Sequence, residues 1–216
     1  MKTGIIFDLD GTLLDTLTDL SDAVNHILRK YNCPERSVEN VRRIVGNGVR
    51  NLVHNALPND GRMLDEEAAI ADYREYYAAH SMDKTCPYTG IVEALAQLGK
   101  KYPLAVVSNK PDSQVKPLCK AFFGDIYALG EREEIPRKPA PDMLRKAMAD
   151  MGVARCVYVG DSEVDILTAR NTGVPCLSVL WGFRDREDLE AAGGKYFCSS
   201  PWDLIEKIEE IIANEE

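Results

Sequence analysis

Two carboxylates one residue apart, Asp8 and Asp10, follow the apolar run Ile5-Ile6-Phe7 and precede Gly11. The run is β-branched and aromatic and predicts a buried strand, so both acids fall at its carboxyl end. Burying one carboxylate is costly unless it is paired, hydrogen-bonded or bound to metal. Two together repel, and a divalent cation with oxygen ligands answers both costs. Ligands of open α/β sheets also bind at the carboxyl ends of the strands. A plainer reading is a solvated acidic turn after an edge strand, since Asp-Gly is an ordinary turn dipeptide.

The same arrangement recurs along the chain. The apolar run Leu104-Ala105-Val106-Val107 ends in Ser108-Asn109-Lys110, and Cys156-Val157-Tyr158-Val159 ends in Gly160-Asp161-Ser162. Cys176 to Leu180 ends in Trp181-Gly182, and Lys138 is held between prolines in Arg137-Lys138-Pro139-Ala140-Pro141. Asp165 lies four residues after Asp161, one helical turn on, although Ser162-Glu163-Val164-Asp165 also reads as a capping box. Polar residues after four apolar strands predict one shared site at a sheet edge.

The elements that must position these residues alternate. Helices are expected over Ile91–Lys101, around Val115, Leu118 and Cys119, over Pro141–Met151, over Val164–Asn171 with Gly173 as a left-handed cap, over Glu187–Ala191 and over Leu204–Ile212. A short strand is expected around Ile126-Tyr127-Ala128. This alternation predicts an α/β fold, a doubly wound, Rossmann-like parallel sheet with helices on both faces. Residues 16–82 instead read as helices alone. The first follows Thr16 or Thr18 as N-cap, with Asp19 suiting its positive end; it runs inward through Leu20, Ala23, Val24, Ile27 and Leu28 and stops near Asn32-Cys33-Pro34. The second has Val38, Val41, Ile44 and Val45 as its apolar side, the third follows Gly46-Asn47-Gly48, and Pro58-Asn59-Asp60-Gly61 is a loop before a fourth over Asp65–His80. The expected organisation is a core of 1–15 and 83–216 with a small helical domain, 16–82, inserted after the first strand.

Asp8-Leu9-Asp10-Gly11-Thr12-Leu13 resembles the first motif of the haloacid dehalogenase-like (HAD) superfamily of aspartate-nucleophile phosphohydrolases. Ser108, Lys138 and Gly160-Asp161-Ser162 with Asp165 fall where its second, third and fourth motifs would. The resemblance implies that Asp8 is the nucleophile and Asp10 the general acid and base. It implies that Ser108 and Lys138 bind the transferring phosphoryl group, with Asn109 beside them as a substrate contact. Mg²⁺ would be held by Asp8, Asp161 and the main-chain carbonyl of Asp10, with Asp165 in support through water or a hydrogen bond to Lys138. The helical insertion resembles the family's cap. Gly46-Asn47-Gly48-Val49-Arg50 is similar to the cap loop of phosphoglycolate-phosphatase-like members, which makes Gly46, Asn47, Gly48 and Arg50 candidate substrate contacts. A plain helix-to-helix turn with a solvated arginine is the other reading of that loop. Asp15 resembles a position after the first motif and also suits a helix cap.

The resemblance implies a phosphatase acting on a small anionic phosphate, phosphoglycolate first among them, with pyrophosphate, nucleotides or sugar phosphates as alternatives. A β-phosphoglucomutase-like mutase shares the four motifs, but the cap histidine expected after the first motif is not evident in Thr16-Leu17-Thr18-Asp19-Leu20. A phospho-aspartate signalling protein and a non-catalytic binder are rivals of other classes. His26, His54 and His80 all fall in the insertion without metal-ligand spacing.

The net charge of −9 disfavours nonspecific nucleic-acid binding, so any anionic substrate needs locally placed cations. The chain has no apolar run of membrane-spanning length, and its strand and acidic pair begin too early for a signal peptide. The six cysteines show no C-x-x-C pair; Cys156 and Cys176 are expected in the core, and disulfides or zinc are disfavoured. These features predict a cytoplasmic protein, monomer or homodimer, whose partner is a small-molecule phosphate rather than nucleic acid or membrane.

Overall fold

The computed structural model describes residues 2–59 and 64–215, so the Asp60-Gly61 part of the expected loop lies outside the described residues. In chain order the elements are β1 (Thr3–Phe7), β2 (Leu14–Asp15), α1 (Leu17–Lys30), α2 (Val38–Ile44), α3 (Gly48–Ala56) and α4 (Glu66–His80). Then come β3 (Cys86–Pro87), α5 (Ile91–Leu98), β4 (Leu104–Pro111), α6 (Asp112–Phe123), β5 (Tyr127–Glu131), α7 (Asp142–Asp150) and β6 (Arg155–Gly160). The chain closes with α8 (Glu163–Thr172), β7 (Cys176–Val179), α9 (Arg186–Ala191), β8 (Tyr196–Cys198) and α10 (Leu204–Asn214). They form two compact units, Met1–Leu14 with Pro87–Glu216, and Asp15–Cys86.

The first unit is built on a parallel sheet of strand order β5-β4-β1-β6-β7-β8. Side chains of β1 alternate, as strand geometry requires. Ile5 and Phe7 pack with residues of α5, α6 and α10, whereas Ile6 packs with Met143, Leu144 and Ala147 of α7 and Ala169 of α8. Both faces are therefore covered, which is why the strands read as unbroken apolar runs. The order reverses at β1, whose neighbours β4 and β6 follow it far apart in sequence. That is the topological switch point where such sheets bind ligands. Register brings the strand ends level, because Phe7 pairs with both Val106 and Val159.

In the helical unit α1 packs against α2 and α4, and α3 against α4. Tyr73 and Tyr77 of α4 are fully buried with Val24, Ile27 and Leu28 of α1. Asp19 is buried in the first turn of α1 and accepts from the amides of Lys84 and Thr85 and from Thr85 Oγ1 at 2.8 Å. It therefore ties both ends of this unit together, a larger role than the helix-dipole one expected of it. Asp19→Ala strands these donors, and a loss of about 3 kcal/mol is expected in thermal denaturation, with Asp19→Asn losing less.

The structure moves several expectations. β4 runs through Ser108-Asn109-Lys110 to Pro111 instead of stopping at Val107. The three-residue β8, too short to show a period, was not expected. Val38 is 46% exposed and not part of an apolar face. Thr16 makes no side-chain cap bond; Asp15 Oδ1 accepts from the Leu17 amide instead, at 3.2 Å. Cys176 is only half-buried, while Cys156 lies in the core. His26 and His80 both stack on Tyr76, and His54 pairs with Glu66. No helix among the described residues is long and apolar enough to cross a membrane.

Candidate active site

The site grows from the end of β1. The Asp8 amide still donates to Val159 O (2.8 Å), extending the ladder by one residue. The chain then turns back on itself, with the amides of Leu13 and Leu14 both 3.0 Å from Leu9 O. Gly11 adopts φ +79, where a side chain is strained, and a Cβ there would sit 2.4 Å from Asp161 Oδ2. Glycine is required at this position on both counts.

Asp8 is fixed through Oδ1, which accepts from the Leu9 amide (2.7 Å) and lies 2.9 Å from Lys138 Nζ. Lys138 Nζ also donates to Asp165 Oδ1 (2.8 Å) and Tyr158 OH (2.9 Å). Its three protons are thus fully used, inside the protein. The prolines around Lys138 set its backbone, the Lys138-Pro139 peptide being cis. Asn109 Nδ2 donates to the Lys138 carbonyl at 3.0 Å, so the residue expected to touch substrate also anchors the lysine.

Asp165 has no capacity left. Oδ1 receives Lys138 and Tyr158 OH (3.0 Å), and Oδ2 receives the Ser162 amide (3.1 Å) and hydroxyl (2.6 Å). The capping-box pairing and the contact to Lys138 therefore coexist. Asp161, buried at the end of β6, is held by Thr12 Oγ1 (3.1 Å) and the Phe183 amide (2.7 Å), both neutral donors.

Oxygens of Asp8, Asp161 and Asp165 all lie within 4.8 Å of one another. Burial, then the neighbouring charges of Asp165 and Asp8, pushes Asp161 well above the usual carboxylate range. Asp8 is raised for the same reason, with Lys138 opposing. Burial would lower Lys138, but Asp165 and Asp8 more than offset it and hold it charged. Ionising all three carboxylates against one ammonium would leave two negative charges in excess in a buried cluster, which is why Asp161 and Asp8 are pushed up while no divalent cation is present. A hard divalent cation fits that deficit and its carboxylate donors. Asp8 and Asp161 suit it better than the saturated Asp165.

Asp10 departs from that cluster. Its Oδ1 pairs with Lys110 Nζ at 2.7 Å, so the metal expectation for Asp10 rests on its main-chain carbonyl alone. Ser108 is buried on β4, two residues past the partner of Phe7, and accepts from the Lys110 amide (3.3 Å). The first unit thus collects Asp8, Asp10, Ser108, Asn109, Lys138, Asp161 and Asp165 at one sheet edge. Gly46, Asn47, Gly48 and Arg50 belong to the helical unit, where Gly46 (φ +121) and Gly48 (φ +76) flank Asn47 at the start of α3. Arg50 grips Glu67, with Nη2 3.0 Å from Oε2, in an exposed pair that contributes little by itself.

Sequence reading missed Thr12, Lys110, Tyr158 and the Phe183 amide. Tyr158 carried the one available signal, a hydroxyl in an otherwise aliphatic strand. Gly182 explains the tight loop after β7: a Cβ there would meet Asp161 Cβ at 2.3 Å and Gly11 O at 2.5 Å. Gly182→Ala is expected to cost about 2 kcal/mol through overpacking, lowering the melting temperature by roughly 5 °C in a thermal scan.

A family model described as haloacid dehalogenase-like hydrolase matches residues 5–179. The phosphoglycolate phosphatase of Caulobacter vibrioides is 36% identical over 213 residues, covering 93% of this chain and 88% of that protein. Phosphoglycolate phosphatase 1 of Pseudomonas aeruginosa is 35% identical over 191 residues, covering 83% and 70%. A crystal structure from Lactobacillus delbrueckii subsp. bulgaricus, provisionally assigned as a phosphoglycolate phosphatase, superposes with a TM-score of 0.89 at 35% identity, covering 96% of this chain and 99% of that one.

Proposed function

Because the chain belongs to the haloacid dehalogenase-like hydrolase family, we propose that it is a Mg²⁺-dependent phosphatase that works through a phospho-aspartate, with phosphoglycolate as its leading substrate. The observation that carries this is the buried Asp8 carboxylate, fixed on one oxygen by Leu9 N and Lys138 Nζ beside the cation-deficient Asp161. A solvated acidic turn would need none of that machinery.

Asp8 attacks phosphorus while the ester P–O bond breaks, and Asp10 gives a proton to the departing oxygen. Water then attacks the phospho-aspartate, losing its proton to Asp10 as the Asp8–phosphorus bond breaks. Ser108 and Lys138 hold the phosphoryl oxygens through both steps, Lys138 turning to them the proton it gives Asp8 while Asp165, Tyr158 and Asn109 keep the lysine in place. A cation held by Asp8, Asp161 and the Asp10 carbonyl would offset the repulsion between an anionic nucleophile and an anionic ester. Selection of the leaving group falls to the helical unit as a cap, with Gly46, Asn47, Gly48 and Arg50 as its contacts. Arg50 could exchange its exposed Glu67 partner for a substrate carboxylate. Such a small, soluble substrate suits a cytoplasmic setting.

The test is phosphate release from phosphoglycolate, pyrophosphate, a nucleoside monophosphate and glucose phosphates, each with Mg²⁺ and with a chelator. Turnover is expected only with the metal and fastest with phosphoglycolate. Metal-independent turnover would overturn the mechanism, and preference for another member of the panel would replace the substrate.

A further inference from the structure

Lys110 is a charged residue at the sheet edge to which the mechanism above gives no task. Its ammonium is 2.7 Å from Asp10 Oδ1, with the lysine side chain 4% and the aspartate 15% exposed. It lies where the β4–β5 ladder slips, between Val107 and Pro111. Ladder irregularities of this kind re-aim side chains. Here consecutive residues serve different parts of the site: Asn109 fastens the Lys138 main chain, and Lys110 reaches across to the turn after β1.

Stability does not account for this choice. A buried ion pair roughly breaks even against an apolar replacement, because desolvation cancels most of the attraction. What the pair adds is direction, since Lys110 engages Oδ1 and leaves the other Asp10 oxygen to handle a proton. We propose that Lys110 is a positioning residue that holds the Asp10 carboxyl group in the orientation needed for proton transfer to the leaving oxygen. The proposal rests on the phosphatase assignment.

Its consequence depends on the leaving group. An alkoxide must be protonated as its P–O bond breaks, whereas nitrophenolate leaves as a stable anion without that proton. Lys110→Met is therefore expected to slow the first turnover of phosphoglycolate about 100-fold or more, with KM little changed, while the p-nitrophenolate burst from p-nitrophenyl phosphate slows less than about tenfold. Lys110→Gln, which keeps a donor for Asp10, should recover part of the phosphoglycolate rate. Equal losses on the two esters, or no loss, would overturn the proposal. If Lys110→Met does not give a cooperative melt, Lys110→Gln alone is judged by the same comparison. Failure of the underlying assignment is read separately, as a wild-type protein with no Asp8-dependent burst on either ester.

Discussion

Asp8→Asn is expected to lose phosphate release by about 10³-fold or more, and to trap no phospho-enzyme, while melting at or above the wild-type temperature in the absence of divalent cation. Asparagine keeps the shape of the side chain and an oxygen for the Leu9 amide and Lys138. It removes the nucleophilic charge. The gain in stability follows from the electrostatics of the cluster. Burial pushes the Asp8 carboxyl toward its neutral form, and the charges of Asp165 and Asp10 add to that push. A neutral amide removes the cost of ionising that carboxyl in the buried cluster, while Lys138 keeps Asp165 as its partner at 2.8 Å. Phosphate release and a thermal scan of the two proteins decide it. Activity retained in the variant would remove Asp8 from the reaction; activity lost together with a large drop in melting temperature would mean that the carboxylate is structural.

Lys138→Met is expected to do the opposite to stability. Met fills most of the volume but leaves Asp8 and Asp165 buried beside Asp161 with no cation among them. Removing one member of a buried ion pair typically costs about 3–5 kcal/mol, which for a chain of this size is roughly 10 °C in melting temperature. Loss of a charged contact to the transferring phosphoryl group should reduce kcat by about 10²–10³-fold in the folded fraction. Mg²⁺ should raise the melting temperature of Lys138→Met more than that of wild type, because the variant cluster carries the larger charge deficit. Thermal scans with and without Mg²⁺, followed by kcat at a temperature where the variant is folded, give both readouts. An unchanged melting temperature would mean that the carboxylates do not depend on this lysine for compensation.

Much of this architecture was legible in the chain. The strands of the sheet are buried on both faces, so each of the long ones appears as an unbroken apolar run that cannot be mistaken for surface. Asp8 follows β1 directly, Asp161 follows the Gly160 that ends β6, and Ser108 follows the apolar half of β4 within the strand; extended backbone leaves little freedom in where the next side chain goes. The capping box at Ser162 and the left-handed Gly173 were equally local, since a helix end is satisfied by residues within a turn of it. Local chemistry dictated those features, and the sequence alone determined them.

Contacts across the sheet were a different matter. Nothing near Lys110 in the chain indicates that its partner is Asp10, because that pairing follows from the switch in strand order that sets β4 beside β1. Tyr158 looked like one more core residue until register placed its hydroxyl between Lys138 and Asp165. Asp165 matched a metal-site motif, yet only the folded structure shows both its oxygens already committed. Asp19 looked like a helix-dipole residue and proved to be the acceptor for amides sixty-five and sixty-six positions away. Sequence determined which groups sit at the sheet edge. Tertiary structure decided which of them pair, because a buried charge takes whatever partner the packed chain brings within reach, whatever its distance in sequence.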